Sequence, residues 1–507
     1  MLHTVERPTS ACRTLMQLKT LVSAIPVRQV IGKLDRPVES IAYDSRRVQR
    51  NGLFVAMRGK KSDGHEFIGQ AIEKGASVIV AEREEKQSRA TCLVVENTRS
   101  ALADLSTTFY GRPAQRLKLA AVTGTNGKTT TAFLIKHIYE RAGLRCGLIG
   151  TVRYEIGERV LPAARTTPES LDLQELLAQI VNAGCRAAAM EVSSHALAYD
   201  RTRGIEWNVA VFTNLTQDHL DFHSTMESYF ESKAKLFTQL AQQQKKRRPV
   251  AVVNIDDHYG ERLLGKIDKS VAIVTYGMSA RADFRASNYR VEFGGTSYQL
   301  DACGKSYLVR VPLIGRFNVA NSMAALAAAS ALGVNLREAV LSLGKSPQVP
   351  GRLEIVPAKR QFQVFVDYAH TPDALRNVLK TLRELEPHRL IVVFGCGGDR
   401  DRQKRPLMGE IVDRHADYAI ITSDNPRKED PSVIIAEIEK GFRSTHYEKL
   451  VDRKQAIGRA IALVQPHDIV LIAGKGHENY QEFADHTVPF DDPQVARNAI
   501  EDRPVEF

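Results

Sequence analysis

At 507 residues the chain exceeds what one hydrophobic core can organise, and a prior of about 150 residues per domain predicts three domains. Hydrophobic content of 43% and charged content of 25% are typical of a globular protein, and no run approaches the ~20 apolar residues of a membrane span. We therefore expect no membrane insertion, and the absence of a signal-like apolar run near the N-terminus predicts a cytoplasmic protein.

The net charge of +11 suits a nucleic acid or phosphorylated and carboxylated small substrates equally well. The densest basic run, residues 245–248, is interpreted as a solvated loop. No zinc-finger, RNA-recognition or basic-zipper pattern accompanies it, so we expect no nucleic-acid partner. The six cysteines form no CxxC pair, which predicts small buried side chains and neither disulfides nor a zinc site.

Three segments follow one another along the chain and predict an α/β protein. Residues 1–113 mix short strands with turns and predict a mixed α/β N-terminal domain. Residues 114–346 alternate helical stretches with Val/Ala/Ile-rich runs, as expected of strands buried on both faces of a parallel sheet. A second series of such runs begins near residue 361, and the proline-containing stretch 347–350 is the predicted linker to a third domain over 347–507.

A predicted strand at 117–122 runs directly into the sequence TGTNGKTT at residues 123–130, and a helical segment follows. Glycines let backbone amides approach phosphate oxygens, and the helix N-terminus adds partial positive charge. The common phosphate-loop pattern needs glycine at position 122, which is Val122 here, so this loop is shorter. A structural glycine turn is the alternative. We predict that Lys128 pairs with the terminal phosphates, that Thr129 holds magnesium, and that ATP contacts Gly124, Thr125, Asn126, Gly127, Lys128, Thr129 and Thr130.

Two further predicted strands end in the polar sequences EVSSH (191–195) and TNLTQDHLD (213–221). Ligands bind beyond the carboxyl ends of parallel strands, so the glycine loop, Glu191 and His219 should converge. Lys233 lies between two aromatic residues on one helical face, and periodicity alone favours a lysine stem packed there. The alternative is carbamylation, because a desolvated lysine has a neutral amine that can react with carbon dioxide.

These residues resemble the Mur ligase family, and the resemblance covers nearly the whole chain. It implies an ADP-forming amide-bond ligase of peptidoglycan precursor synthesis, with a UDP-binding first domain, a central P-loop-type ATPase and a Rossmann-like third domain. It also implies two magnesium ions, one at Thr129 and Glu191 and one at His219 and a carbamylated Lys233, and it puts Asn318 at the adenine. The matching stretches are 123–130, 191–195, 213–221, 229–237 and GRFNVAN at 315–321.

Within the family, residues 42–48, residues 52–56 and the TTP loop at 166–168 resemble the member that adds the third peptide residue to a UDP-N-acetylmuramoyl-dipeptide. A TTP sequence also occurs often by chance, so it supports the resemblance only together with the other two stretches. The resemblance implies that the UDP-linked substrate contacts Ser45, His65, Thr166, Thr167, Ser193 and Arg201.

In the third domain, polar motifs again follow predicted strands, so one cleft should collect them. A substrate with two amino-acid ends needs two carboxylate receptors, for which Arg400 and Arg427 are suited, and an ammonium receptor, for which Glu478 is suited. Unpaired arginines in a dry cleft would be costly, so two of them indicate two negative groups. The DNPR sequence at 424–427 resembles the signature of ligases that take meso-diaminopimelate, which implies contacts with Arg400, Asp424, Asn425, Pro426, Arg427, Gly474 and Glu478.

We expect the D-glutamate carboxylate of the muramoyl-dipeptide to attack the γ-phosphate of ATP, and diaminopimelate to attack the resulting acyl phosphate. His370 and Arg352 are candidate orienting or stabilising groups. Arg402 and Gln403, where relatives often carry a small residue, are expected to be a surface difference. A monomer is expected. The alternatives are an L-lysine-adding ligase of the same family, a folylpolyglutamate synthase, and a nucleotide-dependent switch or nucleic-acid ATPase.

Overall fold

The computed structural model describes residues 15–59, 62–85, 89–243, 248–358 and 360–503. Residues 245–247 of the basic run and Cys12 lie outside the described residues. Arg248 is exposed, and its guanidinium donates to the carbonyls of Lys269, Ser270 and Val271.

The first sheet has five strands in the order β2-β7-β6-β5-β4, with β2 antiparallel to β7 and the other neighbours parallel. Its central strands are continuous apolar runs because helices and loops cover both faces. The elements of this part are β1 (Met16–Gln17), α1 (Leu18–Val22), β2 (Val27–Ile31), β3 (Pro37–Val38), β4 (Ser40–Ala42), β5 (Gly52–Val55), α2 (Ile68–Glu73), β6 (Ala76–Ala81), β7 (Thr91–Val95) and α3 (Thr98–Phe109).

The second sheet has eleven strands in the order β11-β10-β9-β12-β8-β13-β14-β15-β16-β17-β18. In this order, the seven strands β9, β12, β8, β13, β14, β15 and β16 run parallel to one another. Both ends of the sheet continue as antiparallel hairpins. Its elements are β8 (Lys118–Thr123), α4 (Lys128–Arg141), β9 (Cys146–Ile149), β10 (Arg153–Ile156), β11 (Arg159–Pro162), α5 (Ser170–Asn182), β12 (Ala187–Glu191), α6 (Ser194–Ala198), β13 (Val209–Phe212), α7 (Leu220–His223), α8 (Met226–Thr238), β14 (Val250–Asn254), α9 (His258–Leu264), β15 (Ala272–Gly277), β16 (Phe284–Glu292), β17 (Gly295–Ala302), β18 (Lys305–Val311), α10 (Arg316–Ala331) and α11 (Leu336–Leu343).

The third sheet has six strands in the order β19-β20-β24-β21-β22-β23, parallel except for β19. Separate apolar clusters lie on its two faces. The elements of this part are β19 (Glu354–Val356), β20 (Gln363–Asp367), α12 (Pro372–Arg383), β21 (Leu390–Phe394), α13 (Lys404–His415), β22 (Tyr418–Ile421), α14 (Pro431–Glu439), β23 (Tyr447–Lys449), α15 (Arg453–Leu463), β24 (Ile469–Ala473), β25 (Tyr480–Glu482), β26 (Thr487–Pro489) and α16 (Asp492–Glu501). β25 and β26 pair with each other in a separate two-stranded sheet.

The predicted α/β class is confirmed, and the three sheets occupy successive stretches of the sequence; the boundaries at 113 and 346 stay predictions. No helix in the described part of the chain is both long and apolar enough to cross a membrane. Cys92, Cys146, Cys185 and Cys396 are free and buried as predicted. The prediction is wrong for Cys303, which is exposed in the turn between β17 and β18.

Candidate functional site

The glycine loop between β8 and α4 fits tightly against the end of β13. Both glycines have positive φ, 148° at Gly124 and 85° at Gly127. A Cβ atom at Gly124 would lie 1.9 Å from the Thr213 hydroxyl, and one at Gly127 would lie 2.3 Å from the Asn321 side-chain oxygen. Any larger residue would therefore displace the loop, which is the close backbone approach that a phosphate cradle needs.

Two lysine amines converge on one carbonyl oxygen of this loop. Lys128 Nζ donates to the Gly124 oxygen at 3.0 Å and to the Thr125 oxygen at 2.8 Å, and Lys233 Nζ donates to the Gly124 oxygen at 2.8 Å. Lys233 is buried, with its amine 4.8 Å from the centre of the Tyr229 ring. Burial lowers the pKa of both amines, and the charge of Lys128 lowers that of Lys233 further.

Glu191, at the end of β12, joins the glycine loop to the turn after β9. Its carboxylate accepts from the Thr129 hydroxyl at 3.0 Å, from the Thr151 hydroxyl at 2.9 Å and from the Thr151 amide at 2.7 Å. A Cβ at Gly150 would lie 2.4 Å from the carboxylate, so that glycine leaves room for it. Hydroxyl and carboxylate oxygens are the donors that magnesium prefers, so this pair fits the predicted ion.

Asp218 is a residue of this site to which the sequence analysis gave no role. It lies beside His219, whose backbone has a positive φ of 55° and whose Nε2 is 3.4 Å from the Asp218 carboxylate. Burial alone would raise the pKa of Asp218, but the neighbouring His219, His370 and Lys128 hold it below its ordinary value. Burial also lowers the pKa of His219. The position of Asp218 directly before His219, in the segment that follows a strand, is the feature of the sequence that could have predicted it.

A metal ion at this site would need ligands besides His, Cys, Asp and Glu side chains. Among the described residues, no group of three His, Cys, Asp or Glu side chains is arranged to hold a metal ion. The predicted ligands include a threonine and a modified lysine, so the remaining ligands would be phosphate oxygens and water.

Asn318 lies in the first turn of α10 and is buried. Its amide nitrogen donates to the Ile314 carbonyl at 2.9 Å, and its side-chain oxygen accepts from Asn321 at 2.9 Å. One amide hydrogen and one lone pair are left for a ligand, so contact with adenine stays a prediction. Thr130 is buried in the first turn of α4.

The residues predicted to bind the UDP-linked substrate form two groups. The first surrounds the end of β12: the Thr166 hydroxyl lies 3.0 Å from that of Thr151, and Thr167 Oγ1 donates to the Glu191 carbonyl and accepts from the Ser193 amide. Arg201 donates to Glu169 at 3.2 Å and to the Thr167 carbonyl at 3.2 Å. These residues lie close to the Thr129–Glu191 pair.

Ser45 and His65 form the second group, in the first part of the chain. The Ser45 hydroxyl donates to Gln70 at 2.6 Å. His65 is buried and uses both ring nitrogens within the protein: Nδ1 donates to Asp63 at 2.6 Å, and Nε2 accepts from the Glu82 amide at 3.0 Å. His65 therefore supports the local fold in this structure, and no ring nitrogen is left for uridine.

The predicted amino-acid pocket collects residues from three strand ends of the third sheet. Asn425 donates to Glu478 at 2.8 Å, and Lys475 donates to the Asn425 side-chain oxygen at 3.0 Å. A Cβ at Gly474 would lie 2.5 Å from the Asp424 carboxylate. Burial raises the pKa of Glu478, which Lys475 partly opposes. The sequence analysis gave no role to Lys475, whose amine lies 3.3 Å from the Glu478 carboxylate and is its positive partner.

The two arginines of this pocket differ from the prediction. Arg427, with a positive φ of 51°, pairs with Glu482 at 2.9 Å and donates to the Gly398 carbonyl at 2.8 Å. The premise that it would be unpaired without a second substrate carboxylate is therefore wrong. Arg400 is exposed, and no ion pair to it is found among the described residues. Pro426 precedes Arg427 in the same loop, and its carbonyl accepts from the Glu429 amide. Arg402 is exposed, as expected.

Arg352 and His370 lie where the third sheet faces the glycine loop. Arg352 donates to the Thr129 hydroxyl at 3.1 Å and lies 4.8 Å from the centre of the Tyr368 ring. Its buried Nε has no hydrogen-bond partner among the described residues, as expected of a donor that awaits an anion. His370 Nδ1 lies 2.8 Å from the Tyr368 carbonyl, and burial lowers its pKa, which favours a neutral ring.

Protein-family comparisons match the three parts separately. The family described as Mur ligase family, catalytic domain, matches residues 37–110. The Mur ligase middle domain matches residues 122–329, and the Mur ligase, glutamate ligase domain, matches residues 351–476.

Full-length relatives agree with these matches. Relatives from Syntrophomonas wolfei and Geobacillus kaustophilus, both named UDP-N-acetylmuramoyl-L-alanyl-D-glutamate–2,6-diaminopimelate ligase, are 45% and 46% identical over 96% of this chain and 99% and 100% of their own lengths. A solved structure of that name has a TM-score of 0.70 at 34% identity, covering 96% of this chain and 99% of its own. A folylpolyglutamate synthase of Mycobacterium tuberculosis shares the fold at 19% identity, with a TM-score of 0.64 over 80% of this chain and 96% of its own. The chain belongs to the Mur ligase family.

Proposed function

We propose that this protein is an ATP-dependent ligase that adds meso-diaminopimelate to the D-glutamate carboxylate of UDP-N-acetylmuramoyl-L-alanyl-D-glutamate. One line of contacts carries the proposal. Thr129 of the glycine loop accepts from Arg352 at 3.1 Å, Arg352 lies 4.8 Å from the Tyr368 ring centre, and the Tyr368 hydroxyl lies 3.4 Å from Glu478. A nucleotide loop and an amino-acid pocket therefore face each other, and relatives 40–46% identical carry the corresponding name.

The reaction needs an activated carboxylate. The D-glutamate oxygen forms a bond to the γ-phosphorus of ATP as the bond to the β-phosphate oxygen breaks, giving ADP and an acyl phosphate. The diaminopimelate amine then bonds to the acyl carbon, and phosphate leaves as the amine loses a proton. Lys128 and Arg352 would donate to phosphoryl oxygens, and the buried Arg352 Nε, which has no hydrogen-bond partner in the described part of the chain, supports this role. His370, held by the Tyr368 carbonyl, is proposed to orient the reacting groups.

Magnesium, when bound, would screen phosphate charge during transfer. Thr129 and Glu191 would hold one ion, and His219 with a carbamylated Lys233 the other. Carbamylation forms a nitrogen–carbon bond from the neutral amine to carbon dioxide with loss of a proton. The buried Lys233 amine with its lowered pKa supports it. Labelling with ¹³C-bicarbonate should give a carbamate carbon signal in the protein, and Lys233→Ala should remove that signal.

The proposed partners are three small substrates, and the expected monomer stays a prediction. The dependence on ATP supports the predicted cytoplasmic location. Arg201, Thr166, Thr167 and Ser193 would contact the UDP-linked substrate, with Ser45 at its uridine end.

The test is phosphate release by purified protein with ATP, magnesium and the UDP-linked dipeptide, comparing meso-diaminopimelate with L-lysine. We expect turnover with diaminopimelate but not with lysine, and no turnover by the Lys128→Ala variant. Full activity of Lys128→Ala would overturn the assignment of the ATP site. Turnover with neither amino acid would favour a nucleotide-dependent switch.

An L-lysine-adding ligase is the second candidate, because Glu482 already pairs with Arg427. A lysine substrate, which lacks the distal carboxylate, would therefore not leave that arginine alone. Turnover with lysine only would establish this candidate and keep the family.

A further inference from the structure

Arg405 lies in the first turn of α13, beneath the loops that carry Arg400 and Arg427. A helix N-terminus disfavours cations, and the first turn of α13 contains no acidic residue. The Arg405 side chain is nevertheless fully buried, with an exposed fraction of 0%. Helix stability does not explain a buried arginine at this position, so its contacts with other elements are informative.

Arg405 grips Glu429 with both ends of its guanidinium. Its two terminal nitrogens each donate to a different Glu429 oxygen at 2.9 Å, and one of them also donates to Glu437 at 2.6 Å. The other donates to the Gly397 carbonyl at 3.3 Å. This two-point geometry fixes orientation as well as distance.

Glu429 passes this constraint to both substrate loops. Its carboxylate accepts from the Asp399 amide at 2.6 Å, in the loop that carries Arg400, and its own amide donates to the Pro426 carbonyl at 3.0 Å, in the loop that carries Arg427. The loops also contact directly, because the Gly398 amide donates to the Asn425 carbonyl at 2.9 Å.

Both loops contain a residue in an unfavourable backbone conformation. Asp399 and Arg427 have φ of 52° and 51°, in the left-handed region that side chains disfavour. Such conformations persist where the surrounding contacts over-determine them. Glu429 provides contacts of this kind to the two loops together.

We propose that Arg405, acting through Glu429, is a positioning residue that fixes the separation of Arg400 and Arg427 and so selects a substrate with two amino-acid ends. This inference rests on the proposed ligase function. Neither residue touches the substrate in this proposal. Loss of the bridge lets the two loops move independently, which weakens binding of the amino acid and leaves the ATP and UDP-substrate sites unchanged.

The test measures KM for each of the three substrates, and the preference for meso-diaminopimelate over L-lysine, in the full-length enzyme. Glu429→Gln, which keeps the shape of the side chain, should raise the KM for diaminopimelate by about tenfold, and Glu429→Ala by more, as expected from losing charged hydrogen bonds. The KM for ATP should stay within about twofold, and the preference for diaminopimelate should fall. Arg405→Lys keeps the positive charge but loses the two-point hydrogen bonding of the guanidinium, so its KM for diaminopimelate should lie between those of wild type and Glu429→Ala.

Glu437→Gln is the matched control, since the Glu437 carboxylate binds the same arginine at 2.6 Å and otherwise accepts from the side chain of Arg402. Among the described residues, no backbone amide of either substrate loop donates to it. It should change thermal stability and leave the KM for diaminopimelate within about twofold. An unchanged KM in Glu429→Gln, an equal rise in Glu437→Gln, or a parallel rise for all three substrates would overturn the inference. Wild-type enzyme that does not use diaminopimelate would instead overturn the proposed function.

Discussion

Replacing Asp492 by alanine should destabilise the third sheet strongly, because it leaves a buried charge without its partner. Arg453, at the start of α15, donates to Asp492, at the start of α16, at 2.8 Å and 2.7 Å. Both side chains have an exposed fraction of 0%. Arg453 also donates to the carbonyls of Ser423 and Ala473, which precede the pocket residues Asp424 and Gly474.

The magnitude follows from these contacts. Removing one partner of a buried ion pair costs about 3–5 kcal/mol, because the other charge stays desolvated. Arg453 keeps two carbonyl acceptors, at 3.3 Å and 3.0 Å, which partly satisfy its guanidinium. We therefore expect Asp492→Ala to lower the free energy of unfolding by about 3 kcal/mol. Replacing both residues, as Arg453→Met with Asp492→Leu, should cost less than Asp492→Ala alone.

Hydrogen exchange of β24 (Ile469–Ala473) under increasing urea measures the opening of this sheet. Trp207 is the only tryptophan and is buried in the central part of the chain, so its fluorescence follows a different sheet and provides an internal reference. A loss below about 1 kcal/mol, the value of an exposed pair, would refute the reasoning. So would a double replacement that costs the sum of the single ones.

Three further predictions follow from individual contacts. Gly150→Ala would put a Cβ 2.4 Å from the Glu191 carboxylate and should lower phosphate release by about tenfold or more, whereas Gly458→Ala, with no atom within 4 Å, should leave it unchanged. The hydrogen bonds from Arg405 lower the pKa of Glu429 to about 2, so the stabilisation by this pair is fully present above the ordinary carboxyl pKa and is lost as pH falls from there towards about 2. The stability difference between wild type and Glu429→Gln in urea titrations should therefore be largest near neutral pH and shrink on acidification, and a constant difference would contradict this. Iodoacetamide should alkylate Cys303 in the native protein and spare Cys92, Cys146, Cys185 and Cys396, as peptide mass spectrometry would show.

The parallel strands β8, β12, β13 and β24 could be predicted because each is a continuous apolar run, whereas the parallel strands β9 and β23 were not predicted. The antiparallel strands β16 to β18 were not predicted. Along β17, buried and half-buried residues alternate, and along β16 many residues are exposed, so neither strand gives a continuous apolar run. The search for fully buried strands therefore passed over them, although alternation is the usual pattern of a sheet with one exposed face.

For the site, polar residues that follow parallel strands were predicted to converge, and Thr129 and Glu191 do lie within hydrogen-bonding distance. What the sequence could not supply were partners from unpredicted elements. Glu482, which pairs with Arg427, lies in β25, a three-residue strand with no apolar pattern. His65 was carried over from a family resemblance, which says nothing of the Asp63 and Glu82 groups that occupy its ring.

The contacts between the glycine loop and the third part of the chain also have a thermodynamic consequence. Arg352 donates to Thr129, and the Asn126 side chain donates to Asp373 at 3.3 Å, so a nucleotide bound in the loop and an amino acid bound in the pocket share one set of intervening groups. Linkage is reciprocal: whatever factor ATP contributes to the affinity for the amino acid, the amino acid must contribute to the affinity for ATP. Replacing Arg352 or Asp373 would therefore change the effect of ATP on amino-acid affinity and the effect of the amino acid on ATP affinity by the same factor. Neither residue needs to belong to one site alone.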